Sequence, residues 1–132
     1  MRPKMIWANL GVKDVARTRK FYTALGIKPN TDHDNGGDTL TSFVFGDDGF
    51  AIHFFNQDEL RKSFEGNLAD LTKGNEIMFS LWADSKEEAD AWAEEVRNAG
   101  GTIFSEPKAF GKNYYGFGFA DPDGHKFNVF HM

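Results

Sequence analysis

The stretch "FADPDGHKFNVF", Phe119 to Phe130, decides how this chain is read, because an earlier stretch lies on it. With Gly49 set on Gly124, a shift of 75 residues, "FGDDGFAIHFF" (Phe45 to Phe55) overlays it. Ile52 then meets Phe127, His53 meets Asn128 and Phe55 meets Phe130. Both stretches are a polar turn that ends in glycine, followed by a residue-by-residue alternation with the period of a strand. A shift of 71 residues does the same upstream. Trp7 falls on Met78, Asn9 on Ser80, Asp14 on Ser85 and Phe21 on Trp92. Agreement of caps, turn glycines and apolar phase points to two copies of one strand-helix-strand-strand-strand unit.

The elements of each copy follow from local patterns. In "MIWANLGV", Ile6, Ala8, Leu10 and Val12 share one strand face, and Trp7 and Asn9 the other. Asp14 is placed to cap a helix through "VARTRKFYTAL", with Val15, Tyr22 and Leu25 on one stripe, Phe21 beside it and Gly26 as the stop. "TLTSFVF" and "FAIHFF" read as strands joined by "GDDG", and "QDELRKSF" as a short helix. In the second copy "EIMFSLWA" is the opening strand, with Ile77, Phe79 and Leu81 alternating against Met78, Ser80 and Trp82. Ser85 and Glu88 form a capping box for a helix whose stripe is Ala89, Trp92, Ala93, Val96 and Ala99, ended by Gly100. "GTIFSEP", "NYYGFGFA" and "HKFNVFH" supply the remaining strands.

At 132 residues the chain is long enough to bury a core as one domain, spanning 1–132. The two modules are expected over about 1–64 and 75–132, joined by a connector over 65–74. The formal charge of −5, with basic residues scattered among the acids, argues against a nucleic-acid partner. No apolar run approaches the ~20 residues of a membrane span, and "MRPKMIWANL" lacks the pattern of a secretory signal. The expected location is cytoplasmic. The absence of Cys excludes thiol catalysis, disulfides and Cys-based zinc sites. Fourteen Phe, three Trp and three Tyr supply rings for a core and for an apolar pocket.

"NLGVKDVARTRKFYTALGI" resembles the opening of a vicinal oxygen chelate protein, the superfamily of glyoxalase I, bleomycin-resistance proteins and extradiol dioxygenases. "FADPDGHKFNVF" resembles its closing turn and strand. The resemblance implies an α+β fold of two βαβββ modules whose sheets form an open curled barrel around a cavity, with helices outside. It also implies a homodimer. Metal-dependent members place four ligands on the first and last strands of the modules, and the ion stabilises an enediolate-like intermediate as a Lewis acid. The motif match carries those points onto Trp7, His53, Met78 and Asn128, the same positions that the internal overlay pairs. Trp is no metal ligand, Met suits soft copper(I) and Asn binds weakly. His53 is the one competent donor, where a catalytic zinc site typically has three protein ligands. The expectation is therefore no metal and no cofactor.

His53 is the candidate catalytic residue, as a general base or polar contact; the bland alternative is a histidine hydrogen-bonded within an aromatic core. Trp7, Phe55, Met78, Trp82 and Phe130 either line an apolar pocket or fill the barrel solid, and Asn9, Ser80 and Asn128 are the polar groups that would orient a ligand. Asn128 is also placed to pair with His53 across the barrel. Gly116 and Gly118 either admit a close ligand or accommodate a strand irregularity. The loop "DHDNGGD", Asp32 to Asp38, with His33 between two Asp, reads as a solvated turn, with a surface metal site as the alternative, and His125 and His131 face away from the cavity. The leading expectation is a metal-independent protein that binds a small planar or partly aromatic molecule. A metal-dependent glyoxalase-like lyase or isomerase, and a purely structural dimer with a filled barrel, are the alternatives.

Overall fold

A computed structural model of the chain describes residues 1–132. They separate into two compact units, Met1–Leu68 and Ala69–Met132. The fold is α+β: two four-stranded mixed sheets and three helices. The first unit contains β1 (Trp7–Val12), α1 (Val15–Ala24), β2 (Lys28–Pro29), β3 (Leu40–Phe45), β4 (Phe50–Asn56) and α2 (Gln57–Phe64). The second contains β5 (Met78–Trp82), α3 (Lys86–Ala99), β6 (Thr102–Phe110), β7 (Tyr114–Ala120) and β8 (Lys126–His131). The sheet orders are β1-β4-β3-β2 and β5-β8-β7-β6, so each unit is the same βαβββ module with a parallel pair made by its first and last strands. The register agrees with the internal overlay: Trp7 lies opposite Ala51 as Met78 lies opposite Lys126, and Asn9 opposite His53 as Ser80 lies opposite Asn128.

Alternation splits the first sheet into two unlike faces. Phe43, Phe45, Ile52 and Phe54 point to one face and are buried with Val15, Thr18, Phe21 and Tyr22 of α1. Tyr22 stacks on Phe54 with ring centroids 4.6 Å apart. Asp14 caps α1 by accepting from the Arg17 N–H, and Gly26 ends it at φ +74. In the second unit, Ala89, Ala93 and Val96 of α3 are buried with Phe117, Phe119, Phe127 and Val129 of the sheet. Phe119 and Phe127 stack face to face at 5.0 Å. No helix is long and apolar enough to cross a membrane.

Several local expectations need correction. Lys28–Pro29 forms an edge strand that the sequence did not announce, because two residues carry no periodicity. β6 runs on past Pro107 to Phe110; Pro is tolerated because β6 is a sheet edge, and the ladder shifts register on either side of Ser105. The capping box is altered: Ser85 accepts from the Glu88 N–H, but Glu88 reaches back to the N–H of Asp84 rather than of Ser85. Leu25 is the C-cap of α1, and the buried stripe runs through Thr18 and Phe21 instead.

The loop between β2 and β3 is more than a solvated turn. Asp34, its side chain 10% exposed, pairs with Arg19 at 3.2 Å. It also accepts from the Thr41 hydroxyl and from the N–H groups of Gly36 and Ser42. Burial opposes ionisation of this carboxyl, but the donors from Thr41, Gly36, Arg19 and Ser42 together hold it below the usual aspartate value. A depressed carboxyl contributes stability above its unfolded pKa and loses it as pH falls through the folded one.

Gly116 and Gly118 are explained by the sheet itself. A Cβ on Gly116 would lie 1.9 Å from the Val129 carbonyl oxygen, and one on Gly118 would lie 2.5 Å from the Phe104 ring. The first obstacle is backbone and cannot move, whereas the second is a half-exposed side chain.

Two stability measurements check these assignments. Gly116→Ala is expected to cost about 3 kcal/mol or more and Gly118→Ala about 1–2 kcal/mol in urea unfolding. Asp34→Asn is expected to cost about 1–3 kcal/mol at pH 7, and the gap from the parent should shrink as pH falls below about 4.

Candidate functional site

The face of the first sheet turned away from α1 is built across three strands, and α2 lies over its end at Gly11. β1 contributes Trp7 and Asn9, β4 contributes His53 and Phe55, and β3 contributes Ser42 opposite His53. The GDDG turn fixes that last pairing by setting Phe45 against Phe50. Trp7 is 49% exposed, so it is not packed into a solid core. Its ring and that of Phe55 flank His53, with centroids 6.2 and 6.1 Å from the imidazole.

His53 is held by its neighbours. Its Nδ1 lies 2.6 Å from Ser42 Oγ, which also accepts from Asn30 Nδ2 at 3.2 Å. Ser42 is fully buried. His33, from the loop before β3, brings its ring to 5.3 Å from that of His53. Burial, and then the charge of His33, lower the pKa of His53 below the ordinary histidine value, so the neutral ring is favoured near pH 7.

In the second unit the corresponding face holds Met78, Ser80 and Trp82 of β5 and Asn128 and Phe130 of β8. Ser80 donates to Asn128 Oδ1 at 2.5 Å. Trp82 meets Phe130 edge-on at 5.6 Å and donates from its indole nitrogen to Asp84. Met78 is 54% and Trp82 48% exposed. Lys126 sets its ammonium 5.1 Å from the Phe104 ring, a cation on the same face that the sequence reading had not singled out.

Each unit therefore brings its own expected site residues together on one face: Trp7, Asn9, His53 and Phe55 in the first, and Met78, Ser80, Trp82, Asn128 and Phe130 in the second. The hydrogen-bond partner of Asn128 is Ser80 and that of His53 is Ser42. His125 is buried, and its N–H is bound to Asp121; His131 is turned to the Ala83 carbonyl. Three participants escaped the sequence reading. Ser42 was accessible to it, since the turn and strand parity place it beside His53. Asn30 and His33 come from irregular chain and carry no such signal.

The metal of the chelate enzymes does not fit these residues. Trp7 has no donor atom for a cation, and Met78 offers only a soft thioether. The Oδ1 of Asn128 is engaged by Ser80, and the Nδ1 of His53 by Ser42. No group of three or more His, Cys, Asp or Glu side chains is arranged to hold an ion.

Known proteins place the chain in a family. A hypothetical protein from S. aureus is 29% identical with a TM-score of 0.86, over 100% of this chain and 96% of that one. A glyoxalase-related enzyme from Fulvimarina pelagi shares the fold at 17% identity and a TM-score of 0.83, over 98% and 89% of the two chains. A lactoylglutathione lyase from Agrobacterium tumefaciens shares it at 19% identity and a TM-score of 0.69, over 98% and 95%. No functionally curated protein matches the chain. Residues 4–129 match the family model of the Glyoxalase/Bleomycin resistance protein/Dioxygenase superfamily, and with both βαβββ modules in place the chain belongs to that superfamily.

Proposed function

We propose that this protein binds a small planar, partly aromatic molecule against the sheet faces turned away from α1 and α3, without the metal of the superfamily's chelating enzymes. The observation that carries this reading is the surround of His53. An oriented imidazole stands between two aromatic rings, and one of them, Trp7, is half-exposed. Apolar walls with a few fixed polar groups are the general composition of small-molecule sites. The exposure of Trp7, Met78 and Trp82 speaks against these faces being filled from within the chain. If the bound molecule is turned over, His53 is the group placed to exchange a proton with it, in a reaction of the lyase or isomerase type.

A second copy of the chain belongs to the same reading. β1 is an unpaired sheet edge, and the residues leading into it, Met5 and Ile6, are 73% and 75% exposed. Exposed edges with apolar flanks need cover, and a two-fold dimer supplies it with one self-complementary surface.

Three measurements test the proposal. Protein purified without added metal should carry no stoichiometric nickel, zinc, iron or manganese by elemental analysis; a tightly held equivalent that disappears in His53→Ala overturns the metal-free reading. A thermal-shift screen of small aromatic compounds should yield a ligand. His53→Ala should weaken it about tenfold or more, as removal of one partner of a buried hydrogen bond does, and Trp7→Phe should weaken it less. His125→Ala, on the helix-covered face, should leave the affinity unchanged, and the opposite pattern sinks the assignment. Sedimentation equilibrium should give about twice the chain mass of 14.9 kDa, and a strict monomer at high micromolar concentration excludes the dimer.

A further inference from the structure

The two hydrogen bonds of the Ser42 hydroxyl bear on which ring nitrogen of His53 carries its hydrogen. Ser42 is fully buried, so its hydroxyl cannot turn to water. Its two hydrogen bonds are with Asn30 Nδ2 and His53 Nδ1. The amide of Asn30 donates, which occupies the oxygen and leaves the hydroxyl hydrogen to be placed. Given to Nδ1, it satisfies both partners. If Nδ1 carried its own hydrogen, the Ser42 oxygen would receive two donors and its O–H would be buried with no acceptor, which folded proteins avoid. Nδ1 is therefore the bare nitrogen, and in a neutral ring Nε2 carries the hydrogen. Nε2 has no partner in the protein, and it is not among the buried unpaired polar atoms, of which Arg19 Nε is the sole instance.

The second unit repeats the outcome with a different serine. Asn128 occupies the position equivalent to His53, and Ser80 donates its hydroxyl to Asn128 Oδ1 at 2.5 Å. That leaves the two amide hydrogens on Nδ2. The strand position that supplies Ser42 in the first unit is Gly118 in the second, opposite Asn128, and it has no side chain to offer. The hydroxyl comes instead from β5, on the other side of β8.

We infer that Ser42, backed by Asn30, and Ser80 are positioning residues that turn His53 and Asn128 into hydrogen-bond donors. The ligand groups that meet them are acceptor oxygens, those of a carbonyl or a carboxylate, rather than ammonium groups or metal cations. This names the ligand chemistry for the site proposed above and rests on that reading for the existence of a ligand; the tautomer itself does not. It also changes the role of His53. A ring with Nε2–H donates to an oxygen and polarises it, and it offers no lone pair from Nε2 to a cation.

The tautomer is measured directly on the full chain, labelled with ¹⁵N-histidine, by two-bond nitrogen–proton correlation spectra at about pH 7.5. His53→Gln identifies the signal by its loss. The parent should show a bare Nδ1 and a protonated Nε2 at His53. Asn30→Asp replaces the donor to Ser42 with an acceptor, so the serine hydroxyl should reverse and the His53 pattern should invert to Nδ1–H; this variant should bind added zinc more tightly than the parent. A protonated Nδ1 in the parent, or an unchanged pattern in folded Asn30→Asp, overturns the inference. Ligand class is read with benzoate and benzylamine as probes of matched shape. Benzoate should shift the His53 Nε2–H signal, and should do so less in Ser42→Ala. A larger shift with benzylamine overturns the acceptor-oxygen assignment. Failure of both probes, and of the screen above, counts against ligand binding, while the tautomer result still decides the role of Ser42.

Discussion

The register of β4 between β1 and β3 is the constraint on which the rest of the first unit depends. Side chains alternate across a strand, so a slip of one residue exchanges the two faces. In the register observed, Ile52 and Phe54 enter the aromatic core under α1, while His53 lies beside Ser42 on the opposite face. The opposite register would bury an imidazole among phenylalanines and leave two large apolar side chains uncovered. Tyr22, stacked on Phe54, and the tight GDDG turn both enforce the native choice. The same logic governs β8, where Phe127 and Val129 are buried and Asn128 and Phe130 are turned the other way.

Duplication of the module does not make the two faces chemically alike. In the first, a histidine is held from β3 by a buried serine. In the second, an amide is held from β5 by an exposed one, because a glycine stands where the first serine would be. That glycine leaves room for Phe104, whose ring lies against it and beside Lys126. Membership of the superfamily thus fixes the scaffold, and the resemblance to its metal-dependent enzymes points to Trp7, His53, Met78 and Asn128. It does not fix what those positions do. Trp7 and Met78 cannot serve a hard or borderline cation, and one polar atom each of His53 and Asn128, Nδ1 and Oδ1, is engaged by a serine.

The sequence by itself determined the modules. The overlay of "FGDDGFAIHFF" on "FADPDGHKFNVF", with the shift of the opening strands, gave residue equivalences between the copies that the registers of the two parallel pairs reproduce. Period-2 alternation and turn glycines are local properties, so the strand faces, and with them Trp7, Asn9, His53, Ser80 and Asn128, were legible without coordinates. Elements lacking period were not: the two-residue β2, the continuation of β6 through Pro107, and the reach of Glu88 to Asp84. Only the tertiary structure decided what His53 touches. The approach of His33, the anchoring of its loop through Asp34 and Arg19, and the Asn30–Ser42–His53 chain join residues far apart in sequence. Hydrogen bonds of this kind depend on where irregular backbone comes to rest on a sheet, and that is set by the packing of the whole unit rather than by any pattern along the chain.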